Sequence, residues 1–135
     1  MKLESINKIL LFFSSAVLLL IALSFGGNPQ AWVPQFYGVE VANVQAAHTF
    51  RSVMGLLLGV IGFLLYGAIN KRYTMAALHV LMFAMFGLVA GRVISLLLDG
   101  TQLGLIFYVY VSMELMTGII TALLIRYHIN NNSNK

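Results

Sequence analysis

The chain has no cysteine and few charges, and each shortage excludes something. Without cysteine there is no disulfide, no thiolate metal site and no cysteine nucleophile. Charged residues make up 9% of 135 positions, whereas a soluble domain carries roughly 25%. With hydrophobic residues at 60%, so few charges cannot cover the surface of a water-soluble protein of this size, and a membrane protein is expected. The two prolines, Pro29 and Pro34, both fall in one long connection, which they stiffen. The net charge of +4 does not indicate nucleic-acid binding. Lys2, Lys8, Lys71, Arg72, Arg126 and Lys135 sit beside apolar runs and form no basic patch on polar surface.

What remains is apolar sequence in long runs. A spanning helix needs about 20 mostly apolar residues. Four segments qualify, at Ile6 to Phe25, His48 to Ile69, Thr74 to Leu98 and Leu103 to Tyr127. The runs are continuously apolar and do not alternate, so helices are expected and barrel strands are not. The fold class is therefore all-α, a single four-helix transmembrane domain over residues 1–135. Gly26, Gly27, Asn28 and Pro29 stop the first helix. Asn70-Lys71-Arg72-Tyr73 and Asp99-Gly100-Thr101-Gln102 are tight polar turns, and the tail from Asn130 to Lys135 is polar and frayed. The connection 26–47 is long for a compact domain. Its Trp32, Phe36 and Tyr37 suit a membrane interface, so it is expected to form an ordered outer cap, with Val39 to Ala47 available to extend the second span.

Lysine and arginine flank three places: the N-terminus, the turn between the second and third spans, and the C-terminal end. The other two connections carry Glu40 and Asp99 and no basic residue. The positive-inside rule puts both termini in the cytoplasm and the protein in a bacterial inner membrane. The first apolar run is long for a signal peptide and contains Ser14 and Ser15, so it is expected to be retained. Gly55-x-x-x-Gly59, with Gly62, and Gly87-x-x-x-Gly91 are expected to allow close helix packing within one molecule.

Ionisable groups inside a bilayer are costly and need partners. His48 and Arg51 share one helix face with Ser52 and Gly55. Arg92, Ser95 and Asp99 form one stripe on the third span. Tyr110, Glu114, Thr117 and Thr121 form another on the fourth. His48, Arg51, Arg92, Ser95, Asp99 and Glu114 all fall between the outer surface and the midplane, a candidate ligand-binding set. Two arrangements satisfy them. One is an ion-pair network that fixes helix register, Glu114 with Arg92 and Asp99 with Arg51. The other is a polar cavity open outward. His79 and His128 share no depth with His48, which disfavours a haem. The arginines oppose a metal held by His48, Asp99 and Glu114. The seven methionines read as apolar filler.

These residues resemble a family of small four-helix bacterial membrane proteins that carries a domain-of-unknown-function label and is related to the wider DoxX/DoxD-like group. The resemblance lies in Gly26 with Pro29, His48-x-x-Arg51-Ser52-x-x-Gly55, Gly87, Gly91-Arg92-x-x-Ser95-x-x-x-Asp99-Gly100, and Glu114. One departure is Thr101-Gln102, where the pattern has a proline soon after Asp99-Gly100. The resemblance implies the fold and supplies no activity. The wider group includes a subunit of a thiosulfate:quinone oxidoreductase, so a quinone or a membrane partner enters by analogy.

Three functions are expected in descending order. The first is a binding or accessory protein that holds a small anionic, lipid or quinone ligand, with a homo-oligomer or partner membrane subunit left open. The second is a proton- or ion-coupled transporter using Glu114. The third is an enzyme using His48, which no nucleophile, metal or cofactor motif supports. The topology is testable directly, because the cysteine-free chain needs no background removal. In intact spheroplasts a membrane-impermeant maleimide should label a Glu40→Cys variant at once and an Asn70→Cys variant only after permeabilisation. The reverse pattern would invert the orientation.

Overall fold

A computed structural model describes residues 2–100 and 104–133. The chain forms five helices: α1 (Lys2–Gly26), α2 (Pro29–Tyr37), α3 (Val44–Ile69), α4 (Lys71–Asp99) and α5 (Leu105–Ser133). Four of them, all but α2, are long and apolar enough to cross a membrane. The expected start of the fourth span at Leu103 and the turn residues Thr101 and Gln102 lie outside the described residues.

The helices extend past the apolar runs because their caps sit further out. Asn43 caps α3, its Oδ1 accepting from the Ala46 amide at 2.8 Å. The polar turn between α3 and α4 contracts to one residue. Asn70 ends α3 by donating its amide to the Tyr66 carbonyl at 2.8 Å. It begins α4 with its side chain, which accepts from the Arg72 amide at 3.1 Å. Lys71, Arg72 and Tyr73 are therefore already helical. The C-terminal helix runs past Tyr127 to Ser133, since no glycine or proline stops it.

The long connection contains a helix that periodicity did not reveal. Pro29 occupies the first turn of α2, where its missing N–H costs nothing. Gly38 closes the helix in the left-handed region at φ 67° and donates its amide to the Pro34 carbonyl at 3.0 Å. Val33 and Pro29 are buried, which seats α2 on its neighbours. Trp32 and Phe36 stay exposed.

Helix α1 packs on α3, α3 on α4, and α4 on α5, while α1 and α5 share no broad face. Both termini lie at the end that holds the α3–α4 turn. Glu4 pairs with Lys71 at 2.9 Å, and Asn7 Nδ2 meets His128 Nε2 at 3.2 Å. The His128 Nδ1 lies 3.0 Å from the Leu124 carbonyl, so Nδ1 carries the proton and Nε2 accepts from Asn7.

The core is densest near this end, where Leu11, Leu64, Ala68, Ala77, Leu78 and Leu81 are almost fully buried. Gly67 permits the closest approach. A Cβ there would collide with Ala77 and stand 3.1 Å from the Tyr73 carbonyl oxygen. Gly55, Gly59, Gly62, Gly87 and Gly91 do not act this way. A Cβ at any of them would meet nothing within 4 Å, and all are exposed. The expected close packing at these glycines does not occur within the molecule, because the residues face away from the neighbouring helices.

This contrast predicts opposite responses. Gly67→Leu should destabilise the protein by at least about 1–3 kcal/mol through overpacking. Gly59→Ala should change stability by less than about 1 kcal/mol. Thermal unfolding in detergent checks both.

Candidate functional site

Arg92 on α4 and Glu114 on α5 form the central feature. Arg92 Nε donates to Glu114 Oε2 at 2.8 Å, and Nη2 donates to Oε1 at 2.8 Å. This is the parallel, two-bond geometry that matches guanidinium to carboxylate. The Glu114 side chain is 8% exposed and that of Arg92 29%, so the carboxylate is the buried partner. The spacing along α5 explains the arrangement. Phe107, Tyr110 and Glu114 are three and four residues apart and share a face. The Arg92 guanidinium lies over that face, 5.4 Å from the Phe107 ring centroid and 5.8 Å from that of Tyr110. Two π faces and one carboxylate surround one cation.

Helix α2 reaches the same region through Tyr37. The Tyr37 hydroxyl lies 2.6 Å from Ser24 Oγ, which itself donates to the Ile21 carbonyl at 2.7 Å. Tyr37 is therefore the donor to Ser24. Its ring stacks on Phe25 at 4.6 Å, and Phe25 stacks on Phe50 at 6.1 Å. Burial pushes the Tyr37 phenol above its usual pKa against the Ser24 hydrogen bond, and Tyr110 and Arg92 are close enough to act on it.

A cavity of about 50 Å³ lies beside Glu114, between α1, α4 and α5. Its polar lining is Ser14, Tyr110, Glu114 and Thr117, and its apolar lining includes Phe13, Leu18, Met85 and Met113. That space would hold a few water-sized groups, since one water needs about 10–15 Å³. Ser14 Oγ is buried there with no hydrogen-bond partner among the described residues.

The remaining expected residues are placed as follows. Ser95 donates to Asp99 Oδ2 at 2.8 Å on the exposed side of α4. His48 and Arg51 are exposed on α3, and among the described residues neither side chain has an ion-pair partner. The expected Arg92–Glu114 pair forms, and the expected Asp99–Arg51 pair does not. The reason is depth. Measured from the shared turn at Asn70, Asp99 lies about 15 Å further along its helix than Arg51 does along α3. Among the described residues no three His, Asp or Glu side chains gather as a metal-ligand set. Sequence reasoning did not select Ser14, Tyr37 or Phe107 as site residues. Ser14 carried one signal, a hydroxyl in an otherwise apolar run. Tyr37 and Phe107 carried none beyond aromatic character.

The pair makes a two-sided prediction. Arg92→Ala should destabilise the protein by about 3–5 kcal/mol, by stranding a buried carboxylate. Arg92→Met combined with Glu114→Leu should recover most of that loss. Denaturation in mixed micelles checks the single variant against the double one.

Comparison with known proteins gives one result. The family described as Domain of unknown function (DUF4345) matches residues 6–125. No curated protein matches the chain, and no solved structure does. The match takes in most of every long helix and both members of the buried ion pair, so the chain belongs to the family described as Domain of unknown function (DUF4345).

Proposed function

We propose that the chain is a multi-pass inner-membrane protein of four spans with both termini cytoplasmic, and that it binds a small polar or lipid-like ligand. The cavity beside the Arg92–Glu114 pair supports this reading most strongly. Its lining is mostly apolar, and one buried carboxylate, Glu114, stands in it beside Ser14, Tyr110 and Thr117, a mixed character that suits a small ligand with both polar and apolar parts. The binding set is accordingly centred on Glu114 and Tyr110, with Arg92 holding Glu114 from outside the cavity lining. Ser95 and Asp99 sit further out on α4, and His48 and Arg51 stand apart on α3. Kinship with the DoxX/DoxD-like group belongs to the same proposal.

An accessory-subunit role draws on a second observation. Gly55, Gly59 and Gly62 on α3, and Gly87 and Gly91 on α4, leave open surface that another helix can approach closely. The transport alternative rests on Glu114. Both of its oxygens are held by Arg92, so Glu114 must leave Arg92 before it can carry a proton.

Native mass spectrometry in gentle detergent tests the binding reading. The wild type should carry a small-molecule adduct that Thr117→Leu, which fills the cavity, removes without loss of thermal stability. Wild type free of any adduct, or an adduct indifferent to this substitution, would refute ligand binding at this site. A stoichiometric second chain in place of the adduct would favour the subunit role.

A further inference from the structure

The cavity beside Glu114 is partly open, and exposed apolar side chains stand among its lining. Its rim residues Phe13 and Met113 are exposed at 61% and 41%, and they lie on the flank where α1 and α5 fail to pack together. A second crevice continues along the same flank toward the termini, lined by Leu3, Ile6, Ile120, Leu123, Leu124 and Tyr127. The helical spacing aligns the two along the same helix faces. Leu3, Ile6, Phe13 and Val17 keep one stripe of α1, and Met113, Thr117, Ile120, Leu124 and Tyr127 keep one stripe of α5. Ser14 and Leu3, one on each cavity, stand about 16 Å apart along α1. The Asn7–His128 hydrogen bond ties α1 to α5 beside it.

The polar end has a specific deficit. Helical serines and threonines here normally return their hydroxyl to their own helix. Ser52, Ser112, Thr49 and Thr121 each donate to the carbonyl four residues back. Ser14 and Ser15 do not, although they are only 5% and 3% exposed: among the described residues neither Oγ has a partner, and of the two Ser14 is the one that lines the cavity. Glu114 has acceptor capacity to spare. A carboxylate offers about four lone-pair directions, and Arg92 occupies one on each oxygen. The charges of Arg92 and Glu114 cancel, so the site attracts no net charge of either sign.

We propose that this crevice binds a long-chain amphiphile with an uncharged hydroxyl head, entering sideways from the bilayer. The head hydroxyl donates to Glu114 and accepts from Ser14 Oγ, and the chain lies between α1 and α5 toward the termini. The small cavity admits a hydroxyl and its nearest atoms, not a bulky headgroup. A ketone-type head has no donor for Glu114, and a phosphate or carboxylate head would set a second negative charge beside it. The inference rests on the binding reading above and narrows it to one ligand class.

The probe is hexadecanol carrying a diazirine in its chain, added to the full-length protein in phosphatidylcholine nanodiscs. Photolabelling should fall on residues 3–17 and 113–127, and unlabelled hexadecanol should compete where palmitate does not. Ser14→Ala and Ser14→Leu should each reduce that labelling several-fold at unchanged thermal stability. Label spread evenly over the lipid-facing sides of all the long helices, or competition by palmitate as strong as by hexadecanol, would overturn the inference. If palmitate competes and the native adduct proves anionic, ligand binding stands and the hydroxyl class fails. If no adduct and no site-specific label are found, both fail together.

Discussion

A charged side chain inside an apolar spanning helix is costly unless paired, by up to about 2.5–3.5 kcal/mol at the centre on the insertion scale, and the long apolar helices α4 and α5 carry one each, Arg92 and Glu114, far apart in sequence. Arg92 and Glu114 meet at 2.8 Å through two parallel hydrogen bonds, which removes most of that cost and fixes how α4 and α5 stand against each other. A one-residue slip of α5 would turn Glu114 about 100° away from Arg92 and remove Phe107 and Tyr110 from the guanidinium faces. Register, aromatic packing and the position of the cavity therefore all follow from one ion pair. A buried pair is weak as a source of net stability and strong as a constraint on arrangement.

The other end of the molecule is organised differently. Near the α3–α4 turn the contacts are apolar and close, centred on Gly67 against Ala77 and on the buried leucines. Polar contacts there include the exposed Glu4–Lys71 pair at 2.9 Å, the hydrogen bond of the buried Asn7 with His128, and that of Thr74 with the Gly67 carbonyl. One end is held by packing and the other by a charge pair with an aromatic surround and the stacked Tyr37–Phe25–Phe50 column. Between them α1 and α5 stay apart, which leaves the crevice. A gap between helices in contact with lipid costs less than one in water, because lipid chains can fill it.

The long helices were legible because the apolar runs are continuous and the polar punctuation is local. Their ends were less so. Asn43 and Asn70 act as caps outside the apolar runs, and hydropathy is blind to capping. Helix α2 was hidden because its nine residues are too few to establish a period, although Pro29 and Gly38 mark its start and stop. At the site, the i, i+3, i+4 stripes correctly grouped Ser95 with Asp99 and placed Glu114 within reach of Arg92. They misjudged Arg51 with Asp99 because spacing on one helix says nothing about relative depth on two. The glycine stripes were misread for a related reason. A small residue permits close approach, and only the three-dimensional arrangement decides whether a neighbour uses it. Ser14 was visible as a hydroxyl in an apolar run and not as a cavity-lining residue, since that depends on where α4 and α5 stand against α1.

The pairing of Arg92 with Glu114 in the membrane is open to one direct measurement. The chain has four arginines and three glutamates, and among the described residues Arg92 and Glu114 form the one Arg–Glu ion pair. Protein labelled with ¹⁵N-arginine and ¹³C-glutamate, reconstituted in lipid, should give a single strong dipolar coupling between guanidinium nitrogen and carboxyl carbon, lost in Arg92→Lys. A spectrum with no such coupling, or one that survives this substitution, would contradict the pairing and with it the position of the cavity.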